Sequence, residues 1–185
     1  MKAVSAHTWT RSLVGLVALL VLLVSGCGTG ARNATADETA TDDTSTTTAG
    51  TATPAVLDFT SETVDGDAFD GSTLAGKPTV FWFWAPWCPT CRAQISGVGE
   101  LAESYGDQVN VVGVGSLDEQ AAIEGFAAEV SPDVTLLADP YGAVWRQLGV
   151  TAQSTYVVLD ETGAEQASGY LDDGELVALV EDLVG

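Results

Sequence analysis

From residue 54 onward, short apolar runs alternate with stretches in which apolar residues recur every three or four positions. The runs at 79–84, 109–114, 134–138 and 155–159 are largely apolar, as expected of strands buried on both faces. Residues 56–60 read as an earlier strand, and Asp65-Gly66 is a turn signal before Ala68-Phe69. A short turn or 3₁₀ segment is expected at 72–77. Behind 79–84, Cys91, Ile95, Val98, Ala102 and Tyr105 form one helical stripe, weakened by Gly97 and Gly99 at about 1 kcal/mol each relative to Ala. Residues 118–130 read as a helix capped by Asp118, with Ile123 and Phe126 facing inward. Residues 140–148 read as a short helix carrying Trp145. Asp160-Glu161-Thr162-Gly163 predicts a hairpin turn into a return strand at 164–170. Residues 172–183 predict a terminal amphipathic helix with Leu176, Leu179, Val180 and Leu183 inside. Alternation on this scale predicts an α/β domain, a central mixed β-sheet flanked by helices on both faces, with an N-terminal β-hairpin extension.

The first 53 residues follow a different pattern. Lys2, His7 and Arg11 precede an apolar run from Leu13 to Val24 that contains one Gly. The run falls short of the roughly 20 residues a spanning helix needs and suits a signal-peptide core. Val24-Ser25-Gly26-Cys27 follows at once and resembles a bacterial lipobox, in which the Cys is acylated and becomes the mature N-terminus. Residues 1–26 are therefore read as a lipoprotein signal peptide and Cys27 as the lipidation site. Residues 27–53, rich in Thr, Ala, Asp and Gly and lacking aromatics, read as a lipidated N-terminus and disordered linker. The folded domain is expected at 54–185.

Charge narrows the partners. From Cys27 onward the chain carries four basic and 26 acidic residues, a net charge near −22. Nucleic acid and electrostatic adhesion to anionic lipid call for the opposite sign. Solubility and mutual repulsion account for the acidic excess.

The candidate chemistry lies at Phe81-Trp82-Phe83-Trp84-Ala85-Pro86-Trp87-Cys88-Pro89-Thr90-Cys91-Arg92. A buried strand, a Pro-marked turn and a Cys-x-x-Cys opening a helix would put Cys88 at a helix N-terminus, where free N–H groups and the helix dipole favour a thiolate. Such placement lowers a thiol pKa from about 8.5 to roughly 3.5–7.5. Cys91, one turn on, is within reach of a disulfide with Cys88. Pro89 suits the first helical turn, where its missing N–H costs nothing. A zinc half-site would need further ligands, and the remaining Cys and His, Cys27 and His7, lie in the targeting region. No phosphate loop, metal cluster or cofactor site is expected.

Trp84-Ala85-Pro86-Trp87-Cys88-Pro89-Thr90-Cys91 resembles the active site of the thioredoxin superfamily, in its TlpA/ResA/DsbE-like branch and nearest its secreted DsbE/DsbF-like disulfide oxidoreductases. The resemblance extends over 54–185 and implies a thioredoxin-like fold. It implies thiol–disulfide exchange on secreted or envelope proteins, with Cys88 and Cys91 as catalytic residues, Pro86, Trp87, Pro89 and Thr90 around them, and a separate redox partner. The expected setting is extracytoplasmic, lipid-anchored to the outer face of the cell membrane. Two features depart from the family. Where its cis-proline loop is expected, this chain has Gln153-Ser154, and 146–160 contains no proline. A cis bond before a non-proline residue costs about 3–4 kcal/mol, so the bond is either trans in an altered loop or held under strain. The loop is expected to stay near Cys88 with altered substrate affinity or release. Secondly, thioredoxins keep a buried Asp six residues before the first Cys, and cytochrome-maturation reductases often carry a Glu three residues after the second; here these are Trp82 and Gln94. Without these groups the chain is expected to be less adapted to reduction than those relatives, so an oxidase is expected. A reductase for cytochrome c maturation or another specific substrate is the alternative, and a thioredoxin-fold scaffold without turnover is a reading of another class.

Overall fold

In the computed structural model of the chain, residues 53–185 are described; the targeting segment 1–26, Cys27 and the linker up to residue 52 lie outside them. The domain is built on a seven-stranded sheet in the order β2-β1-β5-β4-β3-β6-β7. The strands are β1 (Thr60–Thr63), β2 (Ala68–Asp70), β3 (Thr79–Trp84), β4 (Asn110–Gly115), β5 (Thr135–Ala138), β6 (Thr155–Leu159) and β7 (Glu165–Gly169). β3, β4 and β5 run parallel, while β6 lies antiparallel to β3. The β1–β2 hairpin adds antiparallel to the edge of β5, so the sheet is mixed. The fold is thioredoxin-like.

Every residue of β3 is buried, because strand alternation sends its side chains into two different cores. Val80, Trp82 and Trp84 enter one core together with Val98 and Leu101 of α1 (Pro89–Tyr105), Ile123 and Phe126 of α2 (Gln120–Ala127), and Leu176 and Val180 of α4 (Asp173–Val184). Phe81 and Phe83 enter the other, with Val144 and Trp145 of α3 (Ala143–Gln147) and with Leu57 and Leu74 from two 3₁₀ turns. Helices thus cover both faces of the sheet.

Several boundaries differ from the sequence reading. Of the strand expected at 56–60 only Thr60 belongs to one: Ala55–Leu57 forms a 3₁₀ turn, closed by Leu57 N–H on Pro54 O at 2.9 Å, that buries Leu57 against the sheet. Pairing starts only at Thr60. Asp118 does not cap α2; its carboxylate accepts from the adjacent Glu119 N–H at 2.8 Å, and Glu119 is the N-cap. The segment 140–148 begins as a turn, because Gly142 sits at φ 65°, and the helix opens only at Ala143. Gly97 does not interrupt α1. A Cβ there would lie 2.4 Å from the Asp173 carboxylate, so the glycine allows α4 to start close against α1.

Candidate active site

β3 ends at Trp84, and the chain turns through Ala85, Pro86 and Trp87 into α1, with Cys88 N–H on Ala85 O at 3.1 Å. Cys88 is the N-cap of α1 and Pro89 opens its first turn. The Cys88 Sγ accepts from Cys91 N–H at 3.1 Å, so a sulfur occupies the place of the capping oxygen. Cys88 and Cys91 are joined as a disulfide with their Cα atoms 5.3 Å apart. Cys88 is 5% exposed and Cys91 fully buried. The leading sulfur therefore borders the surface, while its partner is shielded.

The neighbours separate into those held at the sulfurs and those in solvent. Pro86 is half-buried; Pro89 and Thr90 are exposed. Trp87, expected around the pair, is 55% exposed, and its Nε1 donates to Leu117 O at 3.2 Å. Leu117 itself is exposed at φ 63°, a conformation rare for a residue with a side chain. Nothing in the sequence marked Leu117. Arg92 on α1 reaches Pro86 O at 3.4 Å, pairs with Glu129 and lies 4.9 Å over the Phe126 ring, tying the turn to the end of α2.

The loop after α3 brings Gln153 and Ser154 to the same place. No peptide bond among the described residues is cis, so Gln153–Ser154 is trans. Instead of a cis bond, Ser154 adopts φ 65°, with its N–H anchored on Phe83 O at 3.0 Å. Its Oγ lies 3.1 Å from Cys88 Sγ and 3.2 Å from Cys91 Sγ. Gln153 is half-buried beside it.

The core cluster that holds both cysteines includes Trp82, Trp84 and Phe126. Trp82 and Trp84 are fully buried, as expected of core packing, and Trp84 stacks on Phe126 with ring centroids 4.4 Å apart. Trp82 has a second partner: its Nε1 donates to Gln94 Oε1 at 2.9 Å, and both residues are buried. The Tyr156 hydroxyl is buried in the same cluster without a partner, and desolvation pushes it well above its ordinary pKa, with smaller contributions from Asp173 and Tyr170. A surface cleft of about 530 Å³ lies elsewhere, lined by residues such as Val64, Glu124, Ser131 and Leu136. The sulfur pair thus lies away from that cleft, with Cys88 bordering the surface beside the Gln153–Ser154 loop.

Residues 48–182 match the family model described as Redoxin. The soluble secreted antigen MPT53 of Mycobacterium tuberculosis is 32% identical over 141 residues, which span 76% of this chain and 71% of that protein. A solved structure of MTB dsbF, in mixed oxidised and reduced forms, shares 41% identity with a TM-score of 0.66, covering 70% of this chain and 98% of that one. A secreted Mycobacterium tuberculosis disulfide oxidoreductase homologous to E. coli DsbE shares 31% identity with a TM-score of 0.62, covering 69% of this chain and 98% of that one.

Proposed function

Because the chain belongs to the Redoxin family of thioredoxin-like proteins, and within it to the thiol–disulfide oxidoreductases of DsbE/DsbF type, we propose that it oxidises protein thiols outside the cytoplasm through Cys88 and Cys91. A substrate thiolate attacks Cys88 Sγ, the more exposed sulfur; the Cys88–Cys91 bond breaks and its electron pair leaves on Cys91. A second substrate thiolate then attacks the substrate sulfur of the mixed disulfide. The substrate gains a disulfide, Cys88 leaves as a thiolate, and the pair is reduced by two electrons. A redox partner must restore the disulfide.

The observation that carries this reading is Cys88 Sγ in the capping position of α1, with the Cys91 N–H 3.1 Å away. Helix N–H groups and dipole stabilise the thiolate, which is the product of substrate oxidation. Stabilising the reduced form makes the couple more oxidising, about 30 mV for each tenfold change in equilibrium constant. The Trp82–Gln94 pairing also supports this direction, since it puts no carboxylate beside Cys91 to take its proton during reduction. The test mixes the oxidised protein with a reduced, unfolded disulfide protein. Native disulfides should form, Cys88→Ala should abolish the activity, and Cys91→Ala, pre-oxidised with glutathione, should accumulate a mixed disulfide with a substrate that carries a single thiol. Rapid insulin reduction with no oxidation of the unfolded protein would overturn the oxidase assignment.

The segment order in 1–53 supports anchoring of the domain 54–185 by a lipid on Cys27, on the outer face of the cell membrane, where secreted or envelope proteins would be its substrates. Fractionation checks this: the wild-type chain should sediment with membranes and Cys27→Ser should not. Equal distribution of the two would remove the anchor.

A further inference from the structure

The structure places one hydroxyl between the two sulfurs. Ser154 Oγ is 3.1 Å from Cys88 Sγ and 3.2 Å from Cys91 Sγ. Of these two sulfurs, Cys91 Sγ is fully buried and has Ser154 Oγ as its side-chain hydrogen-bonding neighbour. The position is held at a cost: φ 65° is strained for a residue with a Cβ, by an amount on the order of 1–3 kcal/mol. The anchor is backbone, Ser154 N–H to Phe83 O at 3.0 Å, so the side chain is free to serve the sulfurs.

We propose that Ser154 is a catalytic residue whose hydroxyl donates to whichever sulfur carries the negative charge during exchange. This inference rests on the exchange reading given above. A disulfide sulfur is a weak acceptor, whereas a thiolate makes a charge-assisted bond. The hydroxyl therefore stabilises each charged state more than the bridged state. When a substrate thiolate attacks Cys88, the S–S bond breaks and the leaving Cys91 thiolate accepts the Ser154 proton bond. The second substrate thiol then gives its proton to Cys91 and attacks as the thiolate, which releases Cys88; the hydroxyl turns to Cys88 and joins the Cys91 N–H there. The hydroxyl proton stays on Ser154 throughout; the electrons pass from the two substrate sulfurs to the cysteine pair.

The surrounding elements leave this role to Ser154. On α1, Arg92 is paired with Glu129 at the surface. On β6, the Tyr156 hydroxyl is buried and kept protonated by desolvation. On β3 and α1, Trp82 and Gln94 bond to each other. Among the described residues no carboxylate makes a hydrogen bond to either sulfur.

The test uses Ser154→Ala and Ser154→Gly in the full chain, because Gly relaxes the φ 65° backbone while both remove the hydroxyl. Two readouts apply: the ultraviolet absorbance titration of the Cys88 thiolate, and the equilibrium of the pair with glutathione. We expect both variants to fold, to raise the Cys88 pKa by about one unit, and to bind electrons about tenfold less strongly, equivalent to about 30 mV. Wild-type values in both variants would overturn the proposal while leaving exchange at Cys88–Cys91 intact. A shift in Ala that Gly reverses would also overturn it, since the effect would then be backbone strain. Failure of the wild-type pair to equilibrate with glutathione would overturn both this inference and the reading it rests on.

Discussion

Trp82 Nε1 donates to Gln94 Oε1 at 2.9 Å, joining β3 to α1 within the core that also holds Cys88 and Cys91. The indole can only donate, so the Gln94 amide is oriented with its oxygen toward Trp82. Its Nε2 is left buried without a partner. Trp82 and Gln94, at which the sequence departs from its reductase relatives, are thus one contact between uncharged side chains.

Gln94→Glu is nearly isosteric: one oxygen keeps the indole bond and the other replaces the unpartnered nitrogen. Burial would raise the new carboxyl above the usual value of about 4.3. A raised folded pKa means the added stability is full below about pH 4.3 and is lost as pH climbs through the folded value. The urea midpoint of the variant relative to wild type should fall accordingly between about pH 4 and pH 8. Insulin reduction near neutral pH should speed up severalfold, because a base one turn from Cys91 can take its proton. A variant matching wild type in both measurements would show that this position does not tune the pair.

The close packing of β4 on the tryptophans gives a sharper stability contrast. A Cβ on Gly115 would lie 2.5 Å from Trp84 Cη2 and 2.8 Å from Ile123 Cγ2, and both of those side chains are fully buried. Gly115→Ala should therefore cost about 1–3 kcal/mol by overpacking. Gly125, exposed on α2, has nothing within 4 Å of its Cβ position. Gly125→Ala should instead gain up to about 1 kcal/mol from helix propensity. Urea unfolding of the two variants decides it, and a stability loss of equal size in both would show that the Trp84 contact is not the cause.

Tyr156 makes stability sensitive to alkali. Its buried hydroxyl has a pKa pushed above the ordinary value, chiefly by desolvation. The contribution is complete below the unfolded value of about 10 and is lost above it at about 1.4 kcal/mol per pH unit. Tyr156→Phe removes a buried oxygen that has no partner, so it should not destabilise at neutral pH, and it should move alkaline unfolding to higher pH. Identical alkaline midpoints for the two proteins would refute the assignment.

How much of this was legible beforehand follows from physics at each place. β3 and the helix behind Cys88 were readable because an all-apolar strand and a 3.6-residue stripe carry their own signals. β1 was not, since Thr60–Thr63 is polar on an edge hairpin, and the apolar residues before it serve a 3₁₀ turn. The reach of the loop to the sulfurs was expected from the family resemblance, but the hydroxyl's position between them depends on Ser154 at φ 65° and the Phe83 anchor, which no local pattern encodes. The Trp82–Gln94 bond spans a turn and two elements, so both residues could be noticed separately without their contact being seen.

Asp139 connects the end of β5 to α3. Its Oδ1 accepts from Ala143 N–H at 2.6 Å and its Oδ2 from Trp145 N–H at 3.1 Å, with only 4% of the residue exposed. Those bonds hold the short helix whose Trp145 packs edge-on against Phe83, 5.6 Å between ring centroids. Asp139→Ala should cost about 2 kcal/mol near neutral pH, since it removes a cap and orphans buried donors. The pH dependence has an unusual sign for a capping carboxylate. Burial raises the Asp139 pKa, and the N–H groups of Trp145, Ala143 and Val144 together with Arg146 offset this only in part. A raised folded pKa gives a contribution that is full below about pH 3.9 and declines as pH rises through the folded value. The penalty of Asp139→Ala should therefore be largest in mild acid and shrink toward neutrality. Urea midpoints of wild type and variant across that range test it, and a penalty that grows with pH would show that the hydrogen bonds outweigh desolvation at this site.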